Sequence, residues 1–255
     1  MSGSSKVPAI RYDNYRLSLT EWAIAAVKGG LLAALVGFTF YRSMVIGGIL
    51  VVLLAAAYPF YERRQKRDAR LRQLAVEFKE CALLLAGALG TGYSIENAFA
   101  VSMEELRMLY GESGLMFAEM SRMAAMIRTN CPVEQVLMEF GERSGLEDVK
   151  NFAQVFVVAK RSGGQLADIL RSTAEVIREK VQIQEEIRTL TAAKQYEQKI
   201  MNFLPCGIIG YMNLTSPGFL DLMYETGAGR AVMTLSLLTC LAAMAIAGKI
   251  MDLQV

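Results

Sequence analysis

The sequence predicts an all-α membrane protein, a cytoplasmic antiparallel bundle of about six helices flanked by two transmembrane helical hairpins. Three observations carry this reading. Hydrophobic residues make up 53% of the 255 residues and the mean hydropathy is +0.31, above the range of ordinary soluble domains. The excess is concentrated in four segments, Trp22–Tyr41, Met44–Phe60, Ile200–Leu220 and Ala231–Ile250, each near the roughly 17–25 residues that a spanning helix needs. Between them, Tyr61 to Lys199 is mixed in polarity, and its apolar positions follow helical spacing with no strand-like alternation.

Residues 1–21 are polar and basic and are expected to form a cytoplasmic tail. The first apolar run begins after about twenty residues and another follows almost at once, so an anchor is expected rather than a cleaved signal peptide. Lys28 is the single charge in the first run, and snorkelling to the cytoplasmic face is expected over an ion-pathway role. Only Arg42 and Ser43 separate the runs 22–41 and 44–60, which predicts a tight hairpin over 22–60. Gly47 and Gly48 are expected to bring its backbones close.

After Pro59 comes YERRQKRDARLR, where Arg63, Arg64, Lys66, Arg67, Arg70 and Arg72 face only Glu62 and Asp68. By the positive-inside rule these cations orient the chain, with 61–199 cytoplasmic, and they also meet anionic membrane lipids. The second hairpin is expected over 200–255, as 200–220 and 231–250, with a short cytoplasmic carboxyl terminus. Its loop from Thr215 to Gly229 contains Asp221 and Glu225 and no Lys or Arg, which fits an external position.

Within the middle region, Leu71, Leu74, Ala75, Phe78, Cys81, Ala82 and Leu85 mark the buried face of one helix. Gly90-Thr91-Gly92 is expected to stop it, and Ser94 to cap the next, with Glu96 in its first turn. A third helix runs from Leu115 to Thr129 with Met116, Met120, Met123 and Ile127 on one side. Core filling is expected of these methionines over a promiscuous binding surface. Pro132 opens a short fourth helix with Val136, Leu137 and Phe140 as its apolar face. The fifth, Leu146 to Ser162, is expected to end at Gly163 and Gly164. From Gln165 the chain is expected to stay helical to the membrane at about Ile200. Along it Ile169, Val176, Ile183 and Leu190 recur every seven residues, the seam of a helix that packs on an antiparallel neighbour or a second copy.

Chemistry is mostly excluded. Histidine is absent, which removes the commonest general base and most catalytic zinc arrangements. Cys81, Cys131, Cys206 and Cys240 lack paired spacing, so neither a disulfide framework nor a zinc site is expected. The glycines near Gly90 have no following lysine and no preceding strand, which excludes a phosphate loop. No basic stretch interleaved with aromatics supports nucleic-acid binding. Adjacent carboxylates such as Glu104 and Glu105 point to different helix faces and make poor catalytic pairs. Arg143, closing a short helix, is a candidate for an ion pair with a neighbouring helix or a partner. No catalytic, cofactor or metal residues are expected. From Glu77 to Lys199 there are 18 acidic residues against 14 basic, a mildly acidic surface suited to a basic partner.

The segments FKECALLLAGALGTGYSIENAF and CPVEQVLMEFGERSGLEDVKNFAQVFVVAKRSGGQLADILRSTAEVIREK, with the E-R-S-G turn at Glu142–Gly145 and the R-S-G-G-Q-L turn at Arg161–Leu166, resemble the F domain of bacterial type II secretion and type IV pilus systems. The resemblance covers roughly Val76 to Leu204. It implies a non-enzymatic inner-membrane platform protein that couples a cytoplasmic secretion ATPase to pilins. One F domain between two apolar hairpins is most similar to the tight-adherence (Tad/Flp) branch, and implies pairing with a paralogous F-domain protein or with itself. A small multi-pass transporter and a membrane signalling adaptor are the competing classes. The first would place ionisable residues in the membrane, and the second a larger external domain.

Overall fold

The computed structural model describes residues 11–12, 17–41, 44–162, 165–216 and 218–252, and every regular element among them is helical. In chain order these are α1 (Leu19–Tyr41), α2 (Met44–Gly90), α3 (Ile95–Tyr110), α4 (Leu115–Arg128), α5 (Val133–Ser144), α6 (Glu147–Ser162), α7 (Leu166–Thr215), α8 (Asp221–Glu225) and α9 (Gly227–Asp252). Two of them merge segments that the sequence separates. α2 continues through Pro59 into the basic run, and α7 carries the last bundle helix through Pro205. Change of composition at these points marks a change of surroundings, while YERRQKRDARLR consists of good helix formers and gives the backbone no reason to stop.

The chain divides into two compact units, residues 1–15 with 64–183, and residues 16–63 with 184–255. The first is a helical bundle containing Arg64 onward of α2, then α3 to α6, and α7 as far as Ile183. Leu74, Phe78, Cys81, Ala82 and Leu85 of α2 are all buried in its core, against Phe99, Met116, Met120, Met123, Phe140, Phe152 and Phe156. Phe78 is the hub: its ring meets Phe152 edge-on at 5.5 Å and Phe140 at 6.3 Å, the offset geometries that aromatic quadrupoles favour. The three methionines fill core space between helices and present no exposed surface.

Turns are fixed by residues that supply what the backbone lacks. At the end of α2 the Tyr93 N–H donates to the Ala88 carbonyl and the Gly92 N–H to that of Leu89, the paired bonds of a Schellman stop, with Gly92 at φ 91°. Gly92 therefore carries the left-handed residue and Gly90 is the last helical one. The next helix begins with Ser94, whose hydroxyl accepts from the Asn97 N–H at 3.3 Å. Asn130 plays the left-handed part after α4 at φ 63°, as Cys131 N–H reaches back to the Met126 carbonyl.

The start of α4 is capped from a distance. Gly114 has no side chain to offer, and the buried carboxylate of Glu77 on α2 accepts from the Met116 N–H at 2.7 Å and from Gln73 Nε2 at 2.8 Å. A negative charge there meets both an orphan N–H and the positive end of the helix dipole. Glu77→Gln is expected to lower bundle stability by about 1–2 kcal/mol, measured by chemical unfolding, because one amide N–H₂ would then face a donor.

The second unit holds α1, α2 as far as Arg63, α7 from Gln184, α8 and α9. Leu19–Tyr41 and Gly227–Lys249 are long and apolar enough to cross a membrane. Val27, Leu31, Leu35, Val52 and Leu53 are exposed on α1 and α2, and Leu235, Leu238, Leu241 and Ile246 on α9, an outer surface suited to hydrocarbon. The close approach of α1 to α2 falls at Gly29, where a Cβ would lie 2.6 Å from that of Tyr58 and 2.9 Å from the Leu54 carbonyl oxygen. Around Gly48, expected to take that part, a Cβ would meet nothing within 4 Å. Lys28 pairs with Glu62 of α2 at 3.8 Å, so its charge has a counter-ion. Phe40, Tyr224 and Met233 form a small separate core. There the Tyr224 hydroxyl donates to the Thr39 carbonyl at 2.8 Å and accepts from Asn213 at 3.0 Å.

Candidate functional site

Arg143, in the last turn of α5, points into the bundle rather than away from it. Its guanidinium donates to Glu119 of α4 through both terminal nitrogens, at 2.9 Å to Oε2 and 3.3 Å to Oε1. Its Nε lies 3.3 Å from Glu139, which also accepts from Arg122 at 2.8 Å. Glu119 is buried and is held in place by charge. Burial works against the Arg143 cation, but the hydrogen bond and charge of Glu119, with the charge of Glu139, outweigh it and raise its pKa.

The fifth member of this group is Tyr12. Its phenol donates to Glu119 Oε1 at 2.9 Å, its ring lies under the Arg70 guanidinium at 4.7 Å, and its side chain is 1% exposed. Burial, then the negative charge and hydrogen bond of Glu119, push its hydroxyl pKa up, so the phenol stays a donor. The network thus alternates in sign, Arg122 to Glu139 to Arg143 to Glu119, with a neutral phenol closing it. Every acid in it already accepts from a donor, and the network joins α2, α4, α5 and Tyr12 of the amino-terminal segment.

The turn after Arg143 is built on Ser144, fully buried, whose hydroxyl donates to the Gly141 carbonyl at 2.9 Å and accepts from the Leu146 N–H at 3.1 Å. Gly145 follows in the left-handed region at φ 71°. At Gly141 a Cβ would stand 3.1 Å from the Lys150 Cα, so this glycine lets α5 and α6 close on each other. Among the basic residues of α2, Arg63, Arg64 and Arg67 are exposed and Lys66 is half-buried. Gly163 and Gly164 lie outside the described residues.

The seven-residue row on α7 is displaced from the core. Leu170, Ala174, Ile177 and Val181 are the buried ones, whereas Val176 is 62% exposed, Ile183 56% and Leu190 70%, with Ile169 half-buried. Lys180, beside this row, reaches Asp148 of α6 at 2.7 Å. The row is an apolar stripe on the outside of a long helix.

Sequence reasoning found Arg143 but missed Tyr12, Glu119 and Glu77. The first two are single residues without periodicity, and the signal that marks Glu77 is its position on the apolar face of α2, one residue before Phe78. Comparison with known proteins now bears on the whole. A family model, Type II secretion system (T2SS), protein F, matches residues 82–209, just over half of the chain. The chain belongs to the type II secretion system protein F family. The F-domain match runs from the buried Ala82 of α2 into α7, so Arg122, Glu139, Arg143, Glu119 and the exposed stripe lie within it, while Tyr12 and Arg70 lie before it. No curated protein and no solved structure matches the F-family chain described here.

Proposed function

We propose that this F-domain protein is a non-enzymatic, multi-pass inner-membrane platform of a bacterial secretion or type IV pilus machine of the tight-adherence (Tad/Flp) branch. Both termini and the bundle are cytoplasmic in this reading, and a cytoplasmic secretion ATPase acts on the bundle to drive pilin extrusion. A paralogous F-domain protein, or a second copy, covers the α7 stripe. The observation that carries it is the family match together with the unbroken helix α7, which contributes Leu170 and Ile177 to the bundle core and continues to Thr215 through the apolar run after Ile200. In this reading α7 itself, with Pro205 inside it, is the covalent link between the bundle and the apolar run after Ile200.

The test is a short glycine-serine insertion after Lys199. Pilus assembly is expected to be lost while the protein still accumulates in the membrane, because the insertion interrupts α7 with a flexible segment. Wild-type assembly in the insertion strain would overturn the coupling. Reconstituted vesicles containing the protein alone are expected to take up no solute, which separates the platform from a transporter.

A further inference from the structure

Tyr12 sits in the bundle as a ligand sits in a site. Three independent contacts hold it, from three helices: the phenol to Glu119 of α4, the ring under Arg70 of α2, and the Tyr12 backbone N–H to the Arg143 carbonyl of α5 at 3.1 Å. That carbonyl belongs to the last turn of α5, where carbonyls have no intrahelical partner. The turn therefore offers a ready acceptor to a segment of non-helical chain. The contacts together favour a tyrosine: phenylalanine would fill the space and lie under Arg70 but remove the phenol's hydrogen bond, leaving Glu119 Oε1 only the 3.3 Å contact from Arg143, and an aliphatic residue would lose the ring contact as well.

We propose that Arg70, Glu119 and Arg143 form a peptide-binding socket that reads a tyrosine in a non-helical segment, and that its occupant is the chain's own amino-terminal segment, held as a tethered ligand. Because tether and socket are one molecule, the segment binds at an effective concentration in the millimolar range typical of short links. The socket is filled by default even where the same peptide, free in solution, binds weakly. When the segment leaves, Glu119 Oε1 keeps only its 3.3 Å contact from Arg143 and the Arg70 guanidinium is uncovered. The empty socket then has donor, acceptor and cation in place for a tyrosine supplied in trans.

The experiment uses the full chain in detergent with a fluorescent peptide of residues 6–17, KVPAIRYDNYRL, and the same peptide with phenylalanine at position 12. Full-length Tyr12→Ala is expected to bind the native peptide saturably, with at least about tenfold preference over the phenylalanine peptide, as one lost buried hydrogen bond of about 1.4 kcal/mol would give. The unsubstituted protein, its socket occupied, is expected to bind at least about tenfold more weakly than the variant. Absence of binding to a Tyr12→Ala protein as protease-resistant as the parent, equal binding of both peptides, or equal binding by parent and variant would each overturn the proposal. Should Tyr12→Ala fail to fold, displacement in the parent protein decides. Excess native peptide is expected to speed tryptic cleavage of the Arg11–Tyr12 bond, followed by mass spectrometry, and the phenylalanine peptide to leave it slow. Cleavage indifferent to the native peptide would overturn it.

Discussion

Arg143→Met is expected to destabilise the bundle by about 3–5 kcal/mol, the cost of leaving a buried charge without its partner. The side chain of Arg143 is 11% exposed and that of Glu119 3%, so neither water nor salt can substitute for the missing cation at Glu119. Glu139 is 37% exposed and retains Arg122, so its loss is smaller and the damage concentrates on one carboxylate. The paired substitution distinguishes a lost attraction from a stranded charge. Arg143→Met combined with Glu119→Met removes both charges and leaves two apolar side chains of similar volume, and it is expected to recover most of the loss. Chemical unfolding of the four proteins of this cycle gives the coupling directly. If the double variant is as unstable as the single one, packing around the Arg143 stem rather than its charge is what holds α4 to α5.

The same contrast explains how far this molecule was legible in its sequence. A helix that buries one face writes that face at every third or fourth position, and Leu74, Phe78, Cys81, Ala82 and Leu85 are all in the core as that spacing requires. The apolar character of Leu19–Tyr41, long enough to cross a membrane, is a sum over many residues and survives any single exception. Tertiary polar contacts carry no such redundancy. Tyr12 and Glu119 are 107 residues apart, and Glu77 caps a helix whose first N–H groups lie 39 residues away. Nothing local distinguishes Glu119 from a solvated acid, and only its place on the apolar face of α2 marks Glu77.

The row on α7 shows a subtler limit. A period of seven is compatible with two rows on one helix, and both are apolar here. The row Leu170, Ala174, Ile177, Val181 is the one that the bundle buries, and Ile169, Val176, Ile183, Leu190 lies beside it. Sequence spacing picked out the row Ile169, Val176, Ile183, Leu190 but could not say which side of α7 the chain's own helices cover, because that depends on where α2 to α6 sit around α7. The fold class was thus read from repeated patterns, and the assignment of faces required three dimensions.

Substituting glutamate for Val176 and Ile183 together is expected to abolish the proposed association with a second copy or a paralogous F-domain protein while leaving the fold intact. Scattered exposed apolar side chains are ordinary, but a row spaced by seven along one helix is the arrangement that knobs-into-holes packing uses. Burying each of these side chains against a partner returns about 1.5–3 kcal/mol in transfer free energy, so two charges placed in the seam oppose association by several kcal/mol. The monomer should hardly register them, since exposed substitutions usually change stability by no more than about 0.5 kcal/mol. Leu170→Glu is the internal control. It puts the same charge on the same helix one position past Ile169, but into the core, where a carboxylate has no donor to meet, and it is expected to unfold the bundle. Cross-linking in native membranes reads association, and thermal unfolding reads the fold. Undiminished cross-linking of the Val176→Glu, Ile183→Glu protein would show that the stripe faces something other than another F domain.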